Sequence, residues 1–356
     1  MYFLQQTSRS KCLTMPITKL AKYNTHKKTF SSVMGYFTTT GFTRNIGTFH
    51  NTKIVSRPDS KKDKPLGSQR WYSSSITKYG CIEVELGAMF DSGEIAKYGL
   101  VGKAAERKLA IVRMNSPPAN TFEMEQAKSL NEALKALEEN ELVRGFVLTS
   151  SVPNFFSGGV NLPSFMNGRD YWSEFWQLTC DNFRKIYSSR LLSIASVNGH
   201  CLALGTVFML ACHDRYALIG NGKSSYKMGL NEVRVGLPLP DWLTELTKTI
   251  TSQRITEKIG ADGPVLTAEQ ALKYGLIDEL FQTKEELFNA SVSRIKQRAL
   301  LPERAQVKTM QDIRKDYLAK FDASMAKGVD IFVDEIMHPE TQRVMKESIS
   351  KLKNKN

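Results

Sequence analysis

Acidic residues are almost missing from the first 75 positions. Only Asp59 and Asp63 face 13 Lys and Arg there, a net charge of +11. The whole 356-residue chain carries +13, so the other 281 residues hold just +2. A basic body built to grip nucleic acid is thereby excluded, because the excess sits in one segment. Cysteine is also scarce. The five, Cys12, Cys81, Cys180, Cys201 and Cys212, contain no C-x-x-C pair. That pattern lacks zinc-ligand spacing and points to reduced thiols in a non-secretory compartment. Long apolar runs are missing too. The longest near the middle, CLALGTVFMLAC (201–212), has 12 residues, too few to span a bilayer, and reads as a buried helix. No G-x-S-x-G occurs, so neither His200 nor His213 has support as a member of a Ser-His-Asp hydrolase, and both read as structural. GNGKSS (220–225) imitates a phosphate loop, but Ala217 stands where that motif needs glycine, and a surface loop is expected.

The basic segment, residues 1–75, is rich in Ser and Thr, as in SSVMGYFTTTGFTRN (31–45). Such leaders resemble mitochondrial transit peptides. A solvated tail and a basic arm for RNA are the alternatives. Order is expected from about residue 81. CIEVELGAMF (81–90), KLAIVRM (108–114), VRGFVLTSS (143–151), LLSIASVNG (191–199) and RYALI (215–219) read as strands. Helices are expected at 121–140, with Thr121 as N-cap, at about 169–188, at 202–212, and after a Thr267-x-x-Gln270 capping box up to Gly275. From about 284 the pattern is helical to the end. Strands alternating with helices define an α/β body. The organisation is a leader (1–75), a core (81–283) and a C-terminal helical region (284–356).

Three stretches could carry chemistry. FFSGGVNL (155–162) places paired glycines after a strand, where backbone N–H groups can approach a ligand. VNGHCLALG (197–205) brings Gly205 early into an apolar helix, where N–H groups lack intrahelical acceptors. NEVRVGLPLPDW (231–242) sets Glu232 just ahead of an apolar, proline-punctuated run. A carboxylate there is either a solvated charge or a base tuned by apolar neighbours.

With TAEQALKYGLIDELF (267–281), these stretches in this order resemble the crotonase (enoyl-CoA hydratase/isomerase) superfamily over roughly 82–300. The resemblance implies a spiral of ββα units with C-terminal helices that form a trimer or a dimer of trimers. It implies an acyl-CoA thioester substrate, with coenzyme A as part of the substrate and no cofactor or metal. Val160 and Gly205, or its neighbour Leu204, are implied as oxyanion-hole N–H donors. Ser157, Gly158, Gly159, Asn161 and Leu162, with Ala119 and Asn120 of the PPAN loop, are implied along the substrate path. Glu232 is implied as the catalytic base and Asn231 as its neighbour beside the acyl group, closest to the Δ3,Δ2-enoyl-CoA isomerase branch. The chain departs from the family pattern at Asn161, where Asp is usual, at Leu204, where a small residue is common, and in one extra residue before His213-Asp214. Hydratases of this superfamily add a glutamate on the helix after the second glycine, where this chain has Thr206, Val207, Phe208 and Met209. One carboxylate suits a proton shuttle between carbons better than addition of water. The implied setting is the mitochondrial matrix, with no membrane span and no nucleic-acid partner. The alternatives are another crotonase reaction, hydration or decarboxylation, and a non-catalytic crotonase that binds RNA or protein.

Overall fold

A computed structural model describes residues 73–353. The expected leader, up to residue 72, lies outside the described residues. Along the chain come β1 (Ser73–Tyr79), β2 (Ile82–Ala88), α1 (Ser92–Tyr98), β3 (Lys108–Met114), β4 (Thr121–Phe122), α2 (Met124–Glu139) and β5 (Val143–Ser150). Then follow β6 (Phe155–Ser157), β7 (Gly159–Val160), α3 (Arg169–Ser188), β8 (Leu192–Val197), β9 (His200–Leu202), α4 (Leu204–Ala211), β10 (Asp214–Leu218) and β11 (Lys227–Gly229). The rest comprises α5 (Asp241–Ile250), α6 (Gln253–Thr256), β12 (Leu266–Thr267), α7 (Ala268–Tyr274), β13 (Glu279–Phe281), α8 (Lys284–Ala299), α9 (Glu303–Met337) and α10 (Pro339–Lys353).

Seven strands form one sheet in the order β1-β2-β3-β5-β8-β10-β13, and four form a second in the order β12-β11-β9-β6. The pairs β5/β6, β8/β9 and β10/β11 each send one strand to each sheet. The chain therefore winds as a spiral of ββα units. From β3 onward the larger sheet is parallel. All eight residues of β5 are buried, Arg144 included, as expected of a central strand covered on both faces.

The expected strands and helices are present with shifted ends. α3 spans the expected 169–188, and α7 has the Thr267–Gln270 capping box and a left-handed Gly275 that ends it. The structure departs from the expected pattern at two places. The sheet begins at Ser73, before the expected onset near residue 81, because β1 hairpins onto β2. Thr121 is not an N-cap: Thr121 and Phe122 pair in parallel with Gly159 and Val160, and α2 starts at Met124 behind Glu123. A strand pair made with a distant segment overrides the local cap signal.

The C-terminal helices pack back on the body. α9, 35 residues and thus about 50 Å long, lies against α3 and α5, with Phe332 stacked on Trp176 at 3.5 Å between ring centres. α10 reaches two short turns, 162–166 and 232–235. Gln342 donates to the Phe165 carbonyl and Thr341 to that of Gly236. Among the described residues no helix is long and apolar enough to cross a membrane.

Candidate active site

The turn at 155–161 is built from outside the cavity inward. Asn120 is wholly buried at φ +50°, a left-handed conformation that Asn tolerates. Its amide donates to the Met114 carbonyl, to Ser150 Oγ and to the Phe156 carbonyl. Ser157, also buried, donates to the Asn120 carbonyl and accepts from the Gly159 N–H. Gly158 N–H donates to the Ala119 carbonyl. Gly159 sits at φ +89°, and a Cβ there would lie 3.0 Å from the Leu202 carbonyl oxygen. Asn161 donates through its side chain to Glu123 and through its backbone to the Phe122 carbonyl. The turn is thereby fixed with Val160 at its inner surface.

A second turn faces it. Ala203 holds φ 47° and ψ −118°, rare for a residue with a Cβ, and its N–H donates to the Gly229 carbonyl. Helix α4 starts at the next residue. Its first i→i−4 bond runs from Val207 N–H to the Ala203 carbonyl, so the Leu204 and Gly205 amides precede the helical ladder. Ala203, Leu204 and Val207 line the cavity, whereas Gly205 does not. A Cβ on Gly205 would meet Ser157 Cβ at 2.6 Å, so this glycine is needed where the helix presses on the first turn.

The third element is a 3₁₀ turn, Glu232–Val235, closed by left-handed Gly236. Thr341 of α10 pins the Gly236 carbonyl from outside. Glu232 as a residue is half-buried, yet its Oε2 is sealed from solvent and has no hydrogen-bond partner. Burial pushes its carboxyl up from 4.5 to about 7, against a smaller lowering by its own backbone N–H. Asn231 Oδ1 and Trp172 Nε1 are likewise shielded and unpartnered.

The three elements enclose a cavity of about 260 Å³. Gly158, Val160 and Leu162 line one side, and Leu202, Ala203 and Leu204 another, with Asn231 and Glu232 beside them. Apolar side chains complete it, among them Trp172, Trp176 and Phe332. Glu232 is the only titratable side chain among the described residues that line it. Of the predicted site residues, Gly158, Val160, Leu162, Asn231 and Glu232 meet at the cavity. Ala119, Asn120, Ser157, Gly159, Asn161 and Gly205 stand behind them and shape the backbone. Both histidines are structural: His213 Nδ1 lies 2.7 Å from Ser193 Oγ, and His200 Nδ1 accepts from Lys227 N–H.

The sequence reading missed the aromatic wall. Trp172 and Trp176, four residues apart on α3, gave a readable signal: an apolar stripe at helical spacing. Phe332 gave none, since only chain folding brings α9 to α3.

Comparison with known proteins agrees with this geometry. Residues 104–355 match the sequence model of the family Enoyl-CoA hydratase/isomerase. Enoyl-CoA delta isomerase 1, mitochondrial, of Homo sapiens is 28% identical over 256 residues, covering 71% of this chain and 83% of that protein. Its Rattus norvegicus counterpart is 28% identical over 258 residues, covering 72% and 88%. The crystal structure of human mitochondrial delta3-delta2-enoyl-CoA isomerase superposes with a TM-score of 0.67 at 26% identity, over 71% of this chain and 96% of that one. An enoyl-CoA hydratase from Bacillus halodurans shares the fold, with a TM-score of 0.62 at 21% identity, over 67% and 96%. Spiral, cavity and sequence agree, and the chain belongs to the enoyl-CoA hydratase/isomerase family.

Proposed function

We propose that this chain isomerises 3-cis- and 3-trans-enoyl-CoA to 2-trans-enoyl-CoA in fatty acid β-oxidation. One observation carries the reading. A lone carboxylate with an unpartnered, sealed oxygen shares an apolar cavity with the Val160 turn and the start of α4, and Val207 occupies the pocket-facing position on that helix.

The thioester oxygen sits between the N–H groups of Val160 and Leu204. Leu204 replaces Gly205 as the second donor because Leu204 lines the cavity. Glu232 takes a proton from C2, and the electron pair delocalises over C2–C4 and the thioester oxygen. The two amides hold that negative charge, and loss of one such donor typically costs about 2.7–4 kcal/mol. Glu232 then returns the same proton to C4, so the double bond moves from C3–C4 to C2–C3. Atoms balance with no cofactor or metal, and coenzyme A leaves as part of the product. A carboxyl near 7 suits both halves of the cycle at neutral pH, since it must accept and then release one proton. Hydration requires a further group to manage water, and the cavity wall supplies Val207 there.

The basic leader and the mitochondrial relatives support a matrix location. Exposed Leu301 and Ile313 in the C-terminal helical region support assembly as a homotrimer or a dimer of trimers. The deciding experiment follows 2-enoyl thioester absorbance after mixing purified protein with 3-cis- and 3-trans-enoyl-CoA. Formation of a 3-hydroxyacyl product, or no turnover of either isomer by folded protein, rejects the isomerase reading.

A further inference from the structure

Two stacked aromatic rings form part of the wall of the acyl cavity. Phe332 of α9 stacks on Trp176 of α3, ring centres 3.5 Å apart and planes 14° from parallel. Trp176 packs in turn on Trp242 at 6.3 Å, which braces it from behind. Phe332 is 6% exposed. It lines the catalytic cavity and also a second one, of about 290 Å³. Pro240 is the one other residue common to both linings. The second cavity is walled by Leu239, Trp242, Gly328 and Ile331, with Asp241 and Glu335 also lining it. One side chain with one proline therefore separates two spaces of similar size.

We propose that Phe332 sets the acyl-chain length this chain accepts, and that the cavity behind it is a tail subsite reached only when this ring is displaced. The inference rests on the acyl-CoA reading above. The first cavity, about 260 Å³, must also hold the thioester and the reacting carbons, so it admits only a tail of medium length, on the order of eight carbons. Longer tails meet the face of Phe332. Behind it lies a groove walled by Leu239, Trp242 and Ile331, with Asp241 and Glu335 on its lining and Ile331 60% exposed, so it opens to solvent. Gly328 borders that groove, and a Cβ there would make only ordinary contacts, with Met325 Sδ at 3.6 Å and Ser324 Oγ at 3.8 Å, so a larger side chain can be introduced to fill it.

Saturated acyl-CoAs test this without relying on turnover. Each methylene moved from water into an apolar site tightens binding about fourfold, equivalent to roughly 0.8 kcal/mol. In calorimetry with six-, eight-, twelve- and sixteen-carbon acyl-CoAs, the affinity of the unmodified protein rises to about eight carbons and then levels off. Phe332→Ala continues the rise to twelve carbons, at least a tenfold gain relative to its own eight-carbon value, where the unmodified protein gains nothing further. Phe332→Leu, a milder cut, shifts the break in the same direction and serves if the alanine variant does not fold. Adding Gly328→Leu to Phe332→Ala plugs the second cavity and restores the levelling. Affinity climbing to sixteen carbons in the unmodified protein overturns the proposal. So does an unaltered length profile in both Phe332 variants, or a gain that survives Gly328→Leu. Because these ligands do not react, failure of isomerase turnover alongside an intact length profile counts against the reaction alone. Absence of binding by every acyl-CoA removes both readings together.

Discussion

Glu232 and Glu303 hold carboxylates in opposite ways. Glu232 stands alone among apolar walls, its Oε2 without a partner. Glu303 opens α9 facing three arginines: Arg107 at 3.1 Å, Arg144 at 3.7 Å and Arg190 at 3.7 Å. Arg144 is 1% exposed and also donates to the Arg190 carbonyl and to Gln306. Burial drives its guanidinium down to about 10, with Glu303 pulling the other way and neighbouring arginines adding to the fall. In the first region desolvation is left uncompensated, and the carboxyl is raised to about 7, as the proposed proton shuttle requires. In the second it is compensated by opposite charge and hydrogen bonds, and the result is a joint that fastens the C-terminal helices. Uncompensated burial costs stability, so a fold supports it only where chemistry needs it.

The strongest test of this contrast is Glu232→Gln. It should lower kcat by roughly 10²–10⁴ through loss of the base, read from thioester absorbance with folded protein. A near-normal rate would move the base elsewhere. In the unmodified enzyme kcat/KM should rise with pH up to about 7 and then level, because the free enzyme must hold Glu232 ionised.

Stability should show the same group with opposite consequence. The folded carboxyl is raised from 4.5 to about 7, so the stabilisation it gives is complete below 4.5 and lost as pH climbs through 7. At 1.36 kcal/mol per unit, that interval is worth about 3 kcal/mol. Glu232→Gln cannot ionise. Chemical unfolding should therefore find it more stable than the unmodified protein at pH 8, by up to about that amount, with the gap closing near pH 4.5. Equal stabilities at pH 8 would show that water reaches the carboxylate.

Glu303→Gln should do the reverse, weakening the fold and sparing the reaction. A cost of about 2 kcal/mol is expected, below the usual 3–5 for orphaning a buried charge, because the Glu303 side chain is 32% exposed. Unfolding midpoints measure the loss, and kcat on folded protein should stay within twofold. The smallest effect is expected at Ala203. Its left-handed φ is released by Ala203→Gly, and relief of strain outweighs added chain freedom by at most about 1 kcal/mol. A clear drop in melting temperature would mean that the Ala203 side chain, not its backbone, matters there.

Much of the scaffold was readable from local sequence, and particular residues show why. β3 and α3 stand at their expected positions because long apolar patterns repeat at one period. Thr267, Gln270 and Gly275 bound α7 because caps act within one turn. β4, β7 and β12 were not readable, being two residues long and defined only by partners far along the chain. Thr121 misled for that reason.

The amino-acid order alone determined where charge lies, which elements form, and that Glu232 would stand beside apolar sequence with no acid on the helix at 204–211. It could not decide whether Leu204 or Gly205 faces the cavity, that Asn120 and Ser157 brace the turn from behind, or that Phe332 of a distant helix would line the cavity. Those facts depend on which surfaces meet when distant segments pack. Desolvation, which raises the Glu232 carboxyl to about 7, is summed over everything that surrounds an atom, and it comes into being only when the chain has closed around it.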